Sequence, residues 1–201
     1  MTDRATPIPA PADDLDRAAE RSQVSPWTFR EKVGRALWIV VRGSLFRFSW
    51  HNWYGFRNFL LRCFGAKVGV SVHIRPTTRI EIPWLLTIGD YSSLGDYAVV
   101  YDLGPITIGR RATVSQYAQL CAGTHDYTRP DMPLIRPTIT IGDNAWIAGC
   151  SFVGPGVKVG DGALLGACAA AFRDLEPWTI YTGNPARPMK ARPRFSPAKP
   201  R

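Results

Sequence analysis

The sequence repeats itself every six residues. From Ile141 the chain reads Ile-Gly-Asp-Asn-Ala-Trp, and further hexads begin with an aliphatic residue at Ile147, Val153, Val159 and Leu165. Helices give a hydrophobic period near 3.6 and half-buried strands a period of 2, so a period of six fits neither. It predicts short strands joined by tight corners and stacked into a parallel β-helix. The aliphatic residue would fill the axis, and the small residue beside it would allow the turn.

The same frame extends upstream and divides the repeats into coils. If three hexads form one coil, coils begin at Val68, Ile88, Ile108, Ile141 and Val159, which predicts about five coils. The steps between these starts are 20, 20, 33 and 18 residues, whereas three hexads need 18. In the three longer steps the additional residues follow the third hexad. We therefore expect the insertions to emerge along one vertical edge, where repeat proteins often carry their binding face. They are Pro83-Trp84, Leu103-Gly104-Pro105 and residues 126–140.

The segments that flank the repeats have different compositions. Residues 1–26 are rich in Pro, Ala, Asp and Arg, which favours a disordered arm. Residues 27–65 interleave large apolar side chains with arginines, and their uncharged runs are too short to span a bilayer. Two interpretations stay open for them: amphipathic helices that cap the open end of the coil, or a cationic segment on a membrane surface. The repeat domain covers residues 66–182, and a turn followed by a basic tail covers residues 183–201.

Composition and charge bound the class of protein. The 201 residues suit one domain, and 45% apolar with 20% charged residues is typical of a soluble protein. The net charge of +9 would suit nucleic acid, an anionic membrane or an anionic cofactor, and among these partners we do not expect nucleic acid. Asp3 and Arg4, with no apolar run after them, argue against a secretory leader. We therefore expect a cytoplasmic protein with reduced thiols, in which Cys150 and Cys168 share a hexad position one coil apart.

His125 is the strongest candidate for chemistry. It ends the third hexad of the third coil, where the long insertion begins, so the scaffold would present it at the insertion edge. An imidazole in such a position suits general base catalysis, although a histidine that only anchors the loop fits the pattern equally well. His51 and His73 are interpreted as structural or surface residues. The three histidines lack the spacing of a zinc site, and no metal is expected.

Longer motifs stand among the hexads. They are Ala122-Gly-Thr-His125, Ile141-Gly-Asp-Asn-Ala-Trp146, Val153-Gly-Pro-Gly-Val157 and Thr182-Gly-Asn-Pro-Ala-Arg187, with Ile82-Pro-Trp84 upstream. Together with the series of hexads, these motifs resemble the hexapeptide-repeat O-acetyltransferases, and most of all the colanic acid and exopolysaccharide biosynthesis acetyltransferases. The resemblance spans roughly residues 30–192.

The resemblance implies a fold, an assembly and a cofactor. The fold is an all-β, left-handed parallel β-helix of about five coils, with an N-terminal helical segment and a basic C-terminal tail. The assembly is a homotrimer that binds acetyl-CoA in clefts between subunits and requires no metal. His125 is then the catalytic base. The residues expected at the cofactor are Trp146, Gly149 and Ala167 along the pantetheine arm, and Arg173, Arg187 and Lys190 at the phosphates.

Residues near the insertion edge are expected to meet the acceptor, and they are Tyr101, Asp102, Asp126 and Tyr127. Close relatives often carry Asn at the position of Asp102, and two roles stay open for this carboxylate: a bond to an acceptor hydroxyl, or orientation of His125.

The expected reaction transfers acetyl from acetyl-CoA to a hydroxyl of a sugar, an exopolysaccharide precursor or a lipid-linked glycan. The alternatives are an acyltransferase acting on another small acceptor, such as an antibiotic or amino sugar, and a non-catalytic β-helix scaffold. Peripheral contact with the inner membrane surface is compatible with each of them.

Overall fold

The computed structural model describes residues 25–195, and its main body is a triangular coil of short parallel strands. Sheet 1 contains β1 (Lys67–Val68), β4 (Leu86–Ile88), β7 (Ile106–Ile108), β12 (Ile139–Ile141) and β15 (Lys158–Val159). Sheet 2 contains β2 (His73–Ile74), β5 (Ser93–Leu94), β8 (Thr113–Val114), β13 (Trp146–Ile147), β16 (Leu164–Leu165) and β18 (Thr179–Thr182). Sheet 3 contains β3 (Arg79–Ile80), β6 (Val99–Tyr101), β9 (Gln119–Cys121), β14 (Phe152–Val153) and β17 (Ala170–Ala171).

The aliphatic residue of each hexad lies on the axis of this coil. In sheet 1, Ile141 pairs in register with Ile108 on one side and Val159 on the other, and all three are buried. The residue before each of them points outward, which gives the strands their alternation of exposed and buried positions. The predicted parallel β-helix of about five coils is therefore confirmed, with β18 beginning a further turn.

Two of the three corners are tight and almost identical from coil to coil. The corner between sheets 2 and 3 holds Tyr97, Tyr117, Cys150 and Cys168 in the left-handed backbone region, with φ of 57° or 58°. Such a conformation is unfavourable for residues other than glycine. Hydrogen bonds between coils offset it, as in the bond from the Cys168 N–H to the Gly149 carbonyl at 3.0 Å. Cys150 and Cys168 thus occupy equivalent positions one coil apart, and both thiols are free.

The third corner, between sheets 3 and 1, carries the insertions. A 3₁₀ turn (Pro83–Leu85) fills the first insertion. The long insertion between β9 and β12 contains a two-stranded antiparallel hairpin, β10 (Thr124–His125) and β11 (Leu134–Ile135). We name this vertical edge the insertion corner, and its position agrees with the spacing of the hexads.

Two helices precede the coil. Helix α1 (Phe29–Val41) begins at a capping box in which Thr28 and Glu31 bond to each other's backbone N–H groups. A π-helical turn (Arg42–Phe46) follows, and helix α2 (Tyr54–Cys63) leads to β1. The inner faces of the helices add buried side chains to the coil's core, among them Trp38, Phe46 and Leu61.

Side chains of the helices also bind the open end of the first coil, where carbonyl groups have no earlier coil to pair with. The indole N–H of Trp38 donates to the Ile80 carbonyl at 2.8 Å. The Arg57 Nε donates to the Ile74 carbonyl at 2.6 Å, and Arg62 donates to Val68 at 2.7 Å. Each strand of the first coil therefore has a carbonyl group satisfied by the helical segment, as buried backbone groups require.

The C-terminal segment is more ordered than the sequence indicated. After β18 the chain turns back as β19 (Arg187–Ala191), which pairs antiparallel with β18 at the end of sheet 2. The Arg192 guanidinium then donates to the carbonyls of Asn144 and Gly162, each at 3.0 Å. The backbone of β19 and the side chain of Arg192 are therefore held against the coil, whereas the side chains of β19 are exposed. Residues 1–24 of the predicted arm, which covers residues 1–26, and the last six residues of the predicted tail lie outside the described residues.

Candidate active site

His125 lies on β10 at the insertion corner, where it pairs with Leu134 of β11. Its imidazole is exposed, and its Nδ1 atom lies 2.5 Å from the Met132 carbonyl oxygen. Because a carbonyl oxygen only accepts hydrogen bonds, this contact assigns the ring proton to Nδ1. In the neutral tautomer the lone pair is then on Nε2, which suits a general base.

His125 opens onto a cavity of about 630 Å³. Tyr101, at the end of β6, was expected here and does line the cavity. The N-terminal segment lines it as well, which the sequence did not indicate, because no hexad or motif marks these residues. The residues around His125 and Tyr101 are Pro26, Trp27, Arg35, Leu103, Asp131, Met132, Pro133 and Leu134.

Trp27 is held between two arginines at the edge of this cavity. The guanidinium carbon of Arg35 lies 4.4 Å from the centre of the indole ring, and that of Arg136 lies 3.8 Å from it. Arg136 also donates to the Pro26 carbonyl at 3.1 Å. These cation–π contacts join α1 to the long insertion, so two segments distant in sequence form one wall of the His125 cavity.

Asp102 is fully buried rather than directed at an acceptor. Its Oδ1 atom accepts the backbone N–H groups of Glu81 at 3.0 Å and Ile82 at 2.8 Å, and Oδ2 has no hydrogen-bond partner among the described residues. Loss of solvation raises the pKa of Asp102 to about 8, against the opposing effect of those N–H groups. The expected bond to an acceptor hydroxyl is corrected on this ground. The carboxyl group instead fixes the turn that begins the first insertion.

Asp126 and Tyr127 follow His125 directly in the loop. The Asp126 carboxylate accepts the side-chain and backbone donors of Thr128, which lower its pKa. Tyr127 is 86% exposed. Their side chains thus stand at the surface beside His125, free of the coil's core.

Trp146, Gly149 and Ala167 lie along the outside of the coil, away from the insertion corner. Trp146 is on β13 in sheet 2, 42% exposed, and its indole N–H donates to the Ser115 hydroxyl at 2.9 Å. A groove of about 420 Å³ borders it. Gly149 and Ala167 precede the corner residues Cys150 and Cys168, so they occupy equivalent positions one coil apart.

The basic residues expected at the cofactor phosphates divide into two groups. Arg173 and Arg187 line the same groove of about 600 Å³ at the C-terminal end of the coil, together with Phe172. Lys190 lies further along β19, opposite Ile180, with an exposed side chain. Five of the residues predicted for the site therefore border three separate cavities of one chain, and they are His125 with Tyr101, Trp146, and Arg173 with Arg187.

The other histidines have local partners. The His73 ring stacks on Tyr54 at 4.4 Å, and the His51 ring contacts Arg75. Within residues 25–195 no three His, Cys, Asp or Glu side chains converge in a way that would hold a metal ion.

Solved structures identify the class to which this fold belongs. A maltose O-acetyltransferase from Clostridium difficile 630 superimposes with a TM-score of 0.74 at 23% identity, over 83% of this chain and 90% of that chain. A hexapeptide-repeat acetyltransferase from Vibrio cholerae O1 biovar eltor, complexed with acetyl coenzyme A, gives a TM-score of 0.76 at 23% identity, over 90% and 99% of the two chains. The fold is that of the hexapeptide-repeat acetyltransferases.

Sequence comparison identifies the particular family. The chain is 42% identical to the "Putative colanic acid biosynthesis acetyltransferase WcaF" of Escherichia coli (strain K12) over 156 residues, which are 78% of this chain and 86% of that protein. No family model matches the chain. The chain belongs to the family of this acetyltransferase, which confirms the predicted resemblance and the predicted class of enzyme.

Proposed function

We propose that this protein is an acetyl-CoA-dependent O-acetyltransferase that modifies a sugar hydroxyl, with His125 as general base. The observation that carries the proposal is the contact between His125 Nδ1 and the Met132 carbonyl at the border of a cavity. It leaves Nε2 as the atom able to accept a proton. The membership of an acetyltransferase family supports acetyl transfer, and the name of the Escherichia coli relative supports a polysaccharide precursor as the acceptor.

The proposed reaction moves one proton and one acyl group. Nε2 of His125 takes the proton of the acceptor hydroxyl as that oxygen forms a bond to the acetyl carbonyl carbon. The carbon–sulfur bond then breaks, and the thiolate takes the proton back from the imidazolium. Thiolate is a good leaving group, so base catalysis and positioning of the two substrates suffice. Removal of the base is expected to cost about 10²–10⁴-fold in rate.

We further propose that the complete site requires a second copy of the chain. His125 lies at the insertion corner, whereas Trp146 lies on sheet 2 and Arg173 at the C-terminal end, each beside its own cavity. A homotrimer would place the His125 cavity of one copy against the Trp146 groove of the next. The pantetheine arm would then run past Gly149 and Ala167, with its phosphates near Arg173, Arg187 and Lys190. The complex of the Vibrio cholerae enzyme with acetyl coenzyme A supports this co-substrate.

Thiol release from acetyl-CoA tests the reaction. The purified protein is incubated with acetyl-CoA and a panel of neutral sugars, acidic sugars, amino sugars and chloramphenicol. The products are identified by mass spectrometry. The proposal predicts thiol release that depends on a sugar acceptor, with an alkali-labile acetyl ester in the product. Acetylation at an amine, or release that no sugar stimulates, would contradict it.

A further inference from the structure

Helix α1 has an apolar outer face as well as an apolar inner face. Phe29, Val33, Leu37 and Val40 recur at intervals of four, four and three residues, so they share one side of the helix. They are 80%, 42%, 57% and 67% exposed. The opposite side holds Trp38, which is buried against the coil. An ordinary surface helix is polar on its solvent side, so capping of the coil does not explain the outer face.

The apolar surface continues beyond α1. Leu45 and Phe48, in and after the π-helical turn, are 55% and 83% exposed, and Trp50 and Trp53 are 72% and 57% exposed. We call these residues, together with the outer face of α1, the apolar outer surface. An exposed apolar surface of this extent marks a site of interaction. Nothing within residues 25–195 buries these side chains.

The charge around this surface indicates the kind of partner. Residues 27–65 contain seven arginines and lysines and one acidic residue, so this segment carries +6 of the chain's net +9. Arg30, Lys32 and Arg47 are exposed beside the apolar side chains. The single acid, Glu31, is engaged in the capping box, where bonds to Thr28 and the nearby Arg136 and Arg35 lower its pKa. The segment therefore combines apolar, aromatic and cationic groups.

We propose that the apolar outer surface docks on an anionic lipid bilayer. Helices with an apolar face, flanking basic residues and tryptophans bind in the interfacial region of such membranes. No helix within the described residues is long and apolar enough to cross a bilayer, so the contact is peripheral. A second copy of the chain fits this surface poorly, because it would bring another segment of net charge +6 against the first.

The proposed contact also bears on the acceptor. The same helix that exposes Leu37 outward directs Arg35 into the His125 cavity. Docking through α1 therefore holds that cavity beside the membrane, where a glycan carried on a lipid would be presented. This part rests on the proposed function, whereas the docking itself does not.

Vesicle flotation of two matched variants tests the docking. In the first, Leu37→Ser and Phe48→Ser remove two side chains of the apolar outer surface. In the control, Val70→Ser and Tyr91→Ser remove two apolar side chains from the coil's surface, which are 57% and 58% exposed. Each protein is floated with vesicles of phosphatidylcholine alone or mixed with phosphatidylglycerol, and a thermal melt checks folding.

The proposal predicts that the wild type and the control float with the phosphatidylglycerol vesicles, less so at high salt. Leu37→Ser with Phe48→Ser should weaken this binding by about tenfold or more. Thiol release with a soluble acceptor should stay equal in all three, which separates the failure of docking from failure of the proposed function. The proposal is overturned if the wild type does not float, or if the first variant floats as well as the control. It is equally overturned if the wild type, without vesicles, forms larger assemblies that the first variant does not form.

Discussion

Two corners of the coil turn the chain from one sheet to the next with different backbone structures. They are the tight corner between sheets 2 and 3 and the insertion corner between sheets 3 and 1. At the tight corner, Tyr97, Tyr117, Cys150 and Cys168 share nearly one backbone conformation, and hydrogen bonds between coils hold it. At the insertion corner the connections differ in length and structure from coil to coil, and His125 lies in the longest of them. The regular corner makes the scaffold stable, and the irregular corner is where chemistry can be added without disturbing the stack.

The two corners also differ in how backbone groups are satisfied. At the tight corner, backbone groups of the neighbouring coil are the partners, as in the bonds from the Cys150 N–H to Gln116 and from the Cys168 N–H to Gly149. At the insertion corner, a side chain adds to the bonds between coils, because Asp102 accepts the N–H groups of Glu81 and Ile82. A corner built on side chains is specific to its coil, so its structure depends on single residues rather than on the repeat.

The largest expected difference concerns the free energy of unfolding. Ile147 is fully buried in the stack, and Ile147→Ala should cost about 2–5 kcal/mol because it leaves a cavity in the axis. Ile135 is 44% exposed on the hairpin of the insertion corner, and Ile135→Ala should cost less than about 0.5 kcal/mol. Urea unfolding of both variants measures this. Similar losses of unfolding free energy in the two variants would contradict the view that the coil, and not the insertion, carries the stability of the fold.

A second pair of variants tests how closely the coils are stacked. A Cβ atom at Gly142 would lie 2.6 Å from the Asp161 backbone nitrogen, so Gly142→Ala should destabilise the fold by about 1–3 kcal/mol. A Cβ at Gly55 in α2 would meet nothing within 4 Å. Gly55→Ala should therefore stabilise the fold by about 0.5–1 kcal/mol through its helix propensity. Melting temperatures that shift in the same direction for both variants would contradict the close approach of Gly142 to the backbone of Asp161.

The buried carboxyl group of Asp102 predicts that the stability of the fold depends on pH. Burial raises its pKa to about 8, whereas an unfolded chain releases the proton near pH 4. Between these values the folded state binds more protons, so the free energy of unfolding falls as pH rises, by at most about 1.4 kcal/mol per pH unit. The contribution is complete below pH 4 and is lost above pH 8.

Asp102→Asn keeps an oxygen for the two N–H groups and cannot ionise. Its unfolding free energy should therefore lack this decline, and the difference between wild type and variant should level off above pH 8. Denaturation at a series of pH values measures both proteins. Parallel curves would mean that Asp102 does not hold a proton in the folded state.

The regular part of the fold was predictable because it is a local property repeated many times. One aliphatic residue per hexad, as at Ile108, Ile141 and Val159, was sufficient to predict register, coil starts and the insertion corner, which the strand pairing confirms. The position of His125 beside the long insertion followed from the same arithmetic.

The remainder depends on contacts between distant segments, which spacing does not encode. Trp27 reaches the His125 cavity through Arg35 and Arg136, and no periodicity links these positions. The pairing of β19 with β18 depends on a turn outside the hexads. Asp102 has the residue type of an acceptor ligand, and only its burial shows that it bonds to the backbone instead.

The most direct test of His125 as the general base is the turnover number of His125→Asn beside that of His73→Asn. The side-chain amide that His125→Asn introduces would retain a donor for the Met132 carbonyl and would lack the basic Nε2 atom, so the loop is preserved while the base is removed. We predict a loss in kcat of about 10²–10⁴-fold for His125→Asn, with unchanged melting temperature and unchanged CoA binding by calorimetry. His73→Asn, on the coil's surface, should retain the wild-type kcat. A His125→Asn protein that turns over at the wild-type rate would contradict the assignment of this base.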